Sequence, residues 1–234
     1  MRRPRAALAA ALLLAAVPAR AVELQRGDDR WICAQTTADG GECVGRFEIR
    51  YGNGTVGEYG TTADGRRWTG PQHERYPDGG EQRCSGSSPQ YGLCIGEVEV
   101  RTADGTVIRG QRAVRDKQSP WTGRIRVRTG DGIQLDCQAA AAEEPGLCDG
   151  EASLRFPDGS VRHGRMQPSA TRDGNDWTGP FRERRADGSR FECGAATARG
   201  ACNGAARFTR PDGSRREAHF VDGVEVEAPA GTAP

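Results

Sequence analysis

Four close pairs of cysteines recur along this chain at a nearly constant interval, and this period constrains the fold more than any other feature. The first cysteines of successive pairs lie 51, 53 and 56 residues apart, and the partners within a pair are separated by 9, 9, 10 and 8 residues. Such a period is typical of a repeat architecture in which each unit packs against the next. The pairs are Cys33 and Cys43, Cys84 and Cys94, Cys137 and Cys148, and Cys193 and Cys202.

Two shorter motifs with one fixed spacing build each unit. The second cysteine of every pair is followed ten residues later by Asn or Asp and then by Gly, as in Cys43 to Asn53 and Cys202 to Asp212. Three Trp-Thr-Gly motifs, which begin at Trp68, Trp121 and Trp177, have the same ten-residue distance to an Asp-Gly pair, and the next cysteine lies six residues further on. The regularity indicates equivalent structural elements.

Between these fixed points, apolar and charged residues alternate. Val98 and Val100, for example, alternate with Glu97, Glu99 and Arg101. A period of two indicates strands with one buried face, and Asp-Gly or Asn-Gly supplies a tight hairpin turn. We therefore predict an all-β fold, an antiparallel β-hairpin meander of roughly fifteen strands, four to a unit. It would form an elongated single-layer sheet, flat or curved, stapled by local disulfides.

The N-terminus has the pattern of a secretory signal peptide. A basic stretch, Met1 to Arg5, precedes an apolar run from Ala6 to Val17, and Ala19-Arg20-Ala21 fits a cleavage site. We predict a signal peptide over residues 1–21, a repeat domain over 22–226 and a disordered tail over 227–234. No later stretch is long and apolar enough to cross a membrane.

Cleavage would change the charge of the chain. Removing four arginines from the 33 basic residues leaves 29 against 32 acidic residues, a formal net charge of −3. This balance argues against nucleic-acid binding.

Eight cysteines in an exported chain predict disulfides, and their clustering favours bonds between neighbours, although 105 connectivities are possible. Zinc is the alternative. It is disfavoured because the spacing is wider than Cys-x-x-Cys and the compartment is oxidising. We expect no metal and no cofactor.

The pattern resembles the MORN repeat over most of residues 31–223. The Trp-Thr-Gly motifs look like its aromatic-x-Gly opening, and the best continuous match runs from Phe191-Glu192-Cys193 through Gly204 to Pro211-Asp212-Gly213. This chain departs from the family in its longer hairpins, its missing aromatics and its cysteine pairs. The resemblance implies an open, curved, single-layer sheet that acts as a scaffold or protein-interaction module, and no activity of its own. Lipid binding has also been attributed to such arrays.

Candidate catalytic residues can be compared with their counterparts in the other units. His73 corresponds to Arg126 and Arg182, and His163 to Glu58, Arg109 and Glu217, which indicates a solvated face. His219 has no obvious partner. No Gly-x-Ser-x-Gly motif occurs, and each Asp-Gly turn offers too few oxygens for calcium. We expect no catalytic residues.

Trp68, Trp121 and Trp177 leave two interpretations open. Their strand parity matches Ile125, Val127 and Phe181, which favours core packing. In a single-layer sheet the same face could instead be an open trough, where the three rings would form separated platforms for an extended ligand.

We expect an exported, non-catalytic binding or scaffold module, periplasmic or secreted, whose partner is another protein. A module that binds a cell-wall glycan or the membrane surface is the main alternative. An all-β hydrolase or an enzyme inhibitor is a further one, although no unit breaks the repeat with a clustered acid, base and nucleophile.

Overall fold

The computed structural model describes residues 21–171 and 173–227, which form one open antiparallel sheet of 17 strands. The predicted signal peptide, apart from Ala21, and residues 228–234 of the predicted tail lie outside this part of the chain. The strands are β1 (Val22–Arg26), β2 (Asp29–Thr36), β3 (Cys43–Arg50), β4 (Val56–Thr61), β5 (Gln72–Arg75), β6 (Glu81–Ser87), β7 (Cys94–Arg101), β8 (Val107–Arg112), β9 (Trp121–Arg128), β10 (Gln134–Ala139), β11 (Cys148–Arg155), β12 (Val161–Pro168), β13 (Asn175–Arg184), β14 (Arg190–Ala196), β15 (Cys202–Thr209), β16 (Arg215–Val221) and β17 (Val224–Val226).

Every strand pairs with the strands before and after it in the sequence, from β1 to β17. The predicted all-β hairpin meander is therefore confirmed. The sheet has two strands more than expected, since β1 and β17 extend the repeats by one hairpin at each end. No helix that could cross a membrane occurs in the residues that the structure describes.

Eight short turns lie along one side of the sheet, which we name the turn side. Each of the seven from β3–β4 to β15–β16 contains the predicted Asn-Gly or Asp-Gly pair, and its glycine has a positive φ, for example +87° at Gly54 and +84° at Gly213. In six of the seven turns the Asn or Asp side chain accepts a hydrogen bond from the amide two residues later, as from Gly80 N to Asp78 Oδ1 at 2.8 Å. These Asx turns explain the fixed spacing of the motifs.

The opposite side, which we name the loop side, carries the longer connections. All four predicted disulfides form there, Cys33–Cys43, Cys84–Cys94, Cys137–Cys148 and Cys193–Cys202, and no free cysteine occurs in the described chain. They tie the β2–β3, β6–β7, β10–β11 and β14–β15 connections, which we name the stapled loops. The connections between them lack a disulfide and lead into the Trp-Thr-Gly motifs.

The core lies on one face of the sheet, which we name the apolar face. Residues directly opposite each other on neighbouring strands form a buried row that includes Cys84, Val98, Ile125, Cys137 and Ala152. A single sheet leaves such a face open to water unless something covers it. The stapled loops supply part of the cover. A Cβ on Gly146, in the β10–β11 loop, would lie 4.0 Å from both Ile108 and Val127 of the apolar face.

Candidate functional site

The face opposite the core carries a continuous line of polar and charged residues, which we name the polar ladder. Each member is the direct cross-strand partner of the next, so all of them share one face. From β3 to β16 the members are Glu48, Glu58, His73, Arg83, Glu99, Arg109, Arg126, Asp136, Ser153, His163, Arg182, Glu192, Arg207 and Glu217. The ladder contains every residue that the sequence comparison aligned with His73 and His163.

Opposite charges often meet along the ladder. Arg109 Nε lies 2.7 Å from Glu99 Oε2, and Arg207 Nη2 lies 3.2 Å from Glu217 Oε1. Side-chain hydrogen bonds from Arg109 hold the pKa of Glu99 below its ordinary value. Such pairs are exposed and contribute little to stability one by one. Together they make a hydrophilic face that crosses the whole repeat.

The three histidines lie apart from one another. His73 Nε2 lies 3.1 Å from Glu81 Oε2, and this hydrogen bond is the main cause that lowers the pKa of Glu81. His163 is exposed between Ser153 and Arg182, and His219 lies on β16 opposite Ala205. Within the described residues, the hydrogen bonds include none between a histidine and a hydroxyl, and no group of three His, Cys, Asp or Glu could hold a metal.

The structure places the three tryptophans of the Trp-Thr-Gly motifs differently. Trp121 is 1% exposed and Trp177 is 8% exposed, both in the core, whereas Trp68 is half-buried. Glycines on the preceding strand make room for the buried rings, since a Cβ on Gly110 would lie 3.1 Å from Trp121 and one on Gly164 would lie 3.0 Å from Trp177.

In the first unit, Tyr59 stands at the position of these glycines and packs edge-on against Trp68 at 5.5 Å. In this unit the Tyr59 ring thus fills the space that the equivalent glycines leave free for Trp121 and Trp177 in the other two units. A ligand could reach part of Trp68 in this conformation, but not the buried rings of Trp121 and Trp177. Binding at the three tryptophans stays a prediction.

Arginines on the apolar face hold the stapled loops in place, and the sequence analysis did not predict them. The Arg112 guanidinium lies 4.9 Å over the Trp121 ring while its Nη2 donates to Glu143 O at 2.6 Å. Arg162 lies 5.6 Å over Trp177 and donates from Nη1 to Gly200 O at 2.9 Å. Arg26 makes the same two contacts, with Trp31 and with Gly41 O. We name these arginines the loop latches.

A small polar cluster also interrupts the apolar face near β4 and β5. Tyr59 Oη donates to Glu74 Oε1 at 2.6 Å, Tyr76 Oη donates to Glu74 Oε2 at 2.9 Å, and Tyr51 Oη lies 2.8 Å from Tyr59 Oη. Burial raises the pKa of all three phenols above the ordinary value of 10.0. The cluster supplies the Glu74 carboxylate with two hydrogen-bond donors inside the apolar face.

No protein-family model matches the chain, and no curated protein matches it either. Among solved structures it is similar to the SAS-4 TCP domain of Drosophila melanogaster, in complex with a proline-rich motif of Ana2. The two chains are 19% identical, the match covers 94% of this chain and 99% of that chain, and the TM-score is 0.40. The TCP10 domain of Danio rerio CPAP in complex with a STIL peptide is 16% identical to this chain. That match covers 91% of this chain and 97% of that chain and has a TM-score of 0.31. Scores this low support neither a shared fold nor a shared function.

Proposed function

We propose that this chain is an exported, non-catalytic scaffold of MORN-like repeats that binds another protein in the cell envelope. The observation that carries the proposal is the polar ladder, which crosses 14 strands from β3 to β16 on one open face. Repeat arrays with an extended open surface typically use it to bind partners.

The cysteines support an extracytoplasmic location. Each of the four disulfides joins the two strands on either side of one loop, and structural disulfides persist in oxidising compartments. The predicted signal peptide over residues 1–21 agrees with this compartment. Protein sequencing of the exported chain should therefore begin at Val22.

The geometry around the motif glycines supports the likeness to MORN repeats. The glycine of each Cys-x-Gly and Trp-Thr-Gly motif has a positive φ, from +65° at Gly179 to +120° at Gly150. The strand pairing shifts register near six of these seven sites, as between Cys33 and Gln35 opposite the strand that holds Gly45. The motif glycines therefore recur near the β-bulges of the sheet, as expected for a repeat that is defined by its glycines.

Site-specific photo-crosslinking in the native host tests the proposal. A photoreactive residue replaces Gln134 or Gln138, both exposed on the ladder face, and a matched control replaces Glu144, exposed in the β10–β11 stapled loop. We expect one protein to be crosslinked from both ladder-face positions and not from position 144. That protein, once identified and purified, should bind the purified chain directly.

Crosslinking from position 144 alone would place the contact on the other face. Crosslinking to glycan alone, or a crosslinked protein that fails to bind when purified, would contradict the proposal. Catalytic turnover of any envelope component by the purified chain would contradict its non-catalytic part.

A further inference from the structure

A second line of cross-strand partners runs beside the polar ladder, next to the turn side, and it is rich in arginine. From β2 to β16 its members are Arg30, Arg50, Val56, Arg75, Glu81, Arg101, Val107, Arg128, Gln134, Arg155, Val161, Arg184, Arg190, Thr209 and Arg215. We name this line the arginine row. Nine of its fifteen members are arginine, and they share the face of the ladder.

The first four arginines of the row are neutralised. Arg30 Nε lies 2.9 Å from Glu23 Oε2, and Arg50 Nε lies 2.7 Å from Glu48 Oε1. Arg75 lies 3.2 Å from Glu58, and Arg101 lies 3.4 Å from Glu81. In this half of the sheet each guanidinium of the row has a carboxylate from its own or a neighbouring strand.

The last five arginines of the row have no such partner among the described residues. These are Arg128, Arg155, Arg184, Arg190 and Arg215, and all are exposed. Every Asp and Glu of the chain lies within residues 21–171 and 173–227, so none outside the described part could neutralise them. The same geometric row is thus paired in one half of the sheet and open in the other.

The open half holds like charges together at a local cost. Arg184 and Arg190 are direct cross-strand partners, an arrangement that is destabilising when nothing neutralises it. Arg109 and Arg126 also face each other, but Glu99 lies 2.7 Å from Arg109 and Asp136 lies 3.2 Å from Arg126. Near Arg128 and Arg155 the face forms a groove lined by six arginines and one carboxylate, that of Asp136.

We propose that the open half of the arginine row is the docking site for an acidic, extended segment of a partner protein. The proposal rests on the proposed function and adds the chemistry of the partner. Carboxylates fit guanidinium groups through paired, charge-assisted hydrogen bonds. Arginine is also enriched in protein interfaces, where it combines charge with apolar contact.

The spacing of the row favours sparse carboxylates over a dense polyanion. Arg128, Arg155 and Arg184 alternate with neutral residues, so the backbones of successive arginines lie two strands, or roughly 10 Å, apart. Buried Val161 separates Arg155 from Arg184, and uncharged Gln134 separates Arg128 from Arg155. An extended peptide rises about 3.3 Å per residue, so an acidic residue at every third position matches this spacing.

Two further features argue against a nucleic-acid duplex. The neighbouring ladder carries Asp136, Glu192 and Glu217, which would repel a uniform line of phosphates. Antiparallel sheets twist from strand to strand, and a flexible chain can follow that twist more easily than a stiff duplex. An acidic peptide satisfies the charge, the spacing and the shape together.

A designed peptide tests the proposal on the full mature chain with its disulfides intact. The probe is a labelled 18-residue peptide with Glu at every third position and Ser or Thr between, and the matched peptide has Gln in place of Glu. Fluorescence anisotropy at low salt should show about tenfold or greater preference for the Glu peptide, and the preference should fall as salt is added.

Two triple variants give the decisive comparison because they change the net charge equally. Arg128→Gln, Arg155→Gln and Arg184→Gln together should weaken binding of the Glu peptide by about tenfold or more. Arg30→Gln, Arg50→Gln and Arg75→Gln together, in the paired half of the same row, should change it by less than about threefold.

Equal losses in the two variants, or no binding of the Glu peptide, would overturn the proposal. Tighter binding of DNA or of a sulfated glycan through the same arginines would also overturn it, because the site would then prefer a dense polyanion. If the crosslinked partner protein binds the Arg128, Arg155 and Arg184 variant as tightly as the unaltered chain, the proposed function stands and the docking site is wrong.

Discussion

The Arg112 guanidinium lies over the Trp121 ring on the apolar side of the sheet, with its Cζ 4.9 Å from the ring centre. The same guanidinium donates to the carbonyl oxygen of Glu143, so it joins a core tryptophan to the β10–β11 stapled loop. Arg162 joins Trp177 to the β14–β15 loop in the same way. A one-layer sheet thus gains a partial second layer, made of its own loops and held by arginine.

Loss of the Arg162 latch should destabilise the chain. Arg162 Nη2 also lies 2.7 Å from Glu183 Oε2, and both side chains are largely buried. Arg162→Gln would leave that carboxylate partly uncompensated and free the Gly200 carbonyl, which should lower the free energy of unfolding by about 2–3 kcal/mol. Urea denaturation measures this change.

Arg165→Gln is the control, because the Arg165 side chain is exposed and lies 3.9 Å from Glu151. This substitution should lower the free energy of unfolding by less than about 0.5 kcal/mol. Equal effects would show that the latch adds nothing.

Alanine substitutions at two glycines with the same φ separate the cost of backbone strain from the cost of steric overlap. Gly200 and Gly213 both have φ +84°, but a Cβ on Gly200 would lie 2.7 Å from Trp177 Cδ1, whereas nothing lies within 4 Å of one on Gly213. Gly213→Ala should cost about 1–2 kcal/mol for the left-handed conformation alone. Gly200→Ala should cost about 1–3 kcal/mol more, because the loop or the ring must also move. Thermal unfolding of both variants checks this. Equal costs would mean that the loop is not packed tightly on Trp177.

Removal of the central disulfide should also lower stability. Cys137 and Cys148 are fully buried and close a connection with a sequence separation of 11 residues. Replacement of both by Ala should cost up to roughly 3 kcal/mol, since the unfolded chain regains the freedom that the bond removes. The midpoint of guanidinium denaturation should therefore fall. Mild reduction that breaks only this bond in the unaltered chain should have no corresponding effect on the double variant. An unchanged midpoint would show that the Arg112 latch alone fixes the loop.

The turn aspartates should make stability fall at acid pH. Hydrogen bonds, chiefly from Thr102 to Asp104, from Ser189 to Asp187 and from Ser214 to Asp212, lower the pKa of each carboxyl below its ordinary value of 3.8. The folded state then binds fewer protons than the unfolded state, so the stabilisation is present above pH 3.8 and is lost as pH falls through the lowered pKa.

A triple Asp→Asn variant at positions 104, 187 and 212 tests this pH dependence. Asn53 already occupies the equivalent site in the first turn and accepts a hydrogen bond from Thr55 N at 2.9 Å, so Asn preserves the turn. The melting temperature between pH 2 and pH 6 should depend less steeply on pH in the variant. Identical slopes would assign the acid sensitivity to other carboxyls, such as Glu81 and Glu99, whose pKa values are also lowered.

The strands and disulfides could be predicted because their signals are local. The alternation around Val98 and the fixed distance from Cys43 to Asn53 depend only on neighbouring residues. The strand that contains Val98 and the disulfide at Cys43 were both confirmed. The last hairpin was missed because it falls outside the repeat period. Its signal is the Asp222-Gly223 pair, whose positive φ values of 50° and 84° form a two-residue turn.

The loop latches and the open half of the arginine row could not be predicted in the same way. Arg112 shares strand parity with Ile108, and Arg162 with Met166, so parity alone places both on the apolar face. What each does there depends on a loop that folds back from a later strand, and that is a non-local contact. The charge balance of the arginine row likewise depends on which carboxylates lie within reach across neighbouring strands.

Pairing in strict chain order has a consequence for biogenesis. If the chain crosses a membrane unfolded, as the proposed export requires, it emerges one segment at a time, and each new strand needs only the strand that emerged just before it. The cysteines of each pair are 9 to 11 residues apart, so they arrive together and can be oxidised before the next pair appears. Sequential oxidation would give the native bonds without reshuffling. Duplication or loss of whole units could then change the length of the array without rewiring the units that remain.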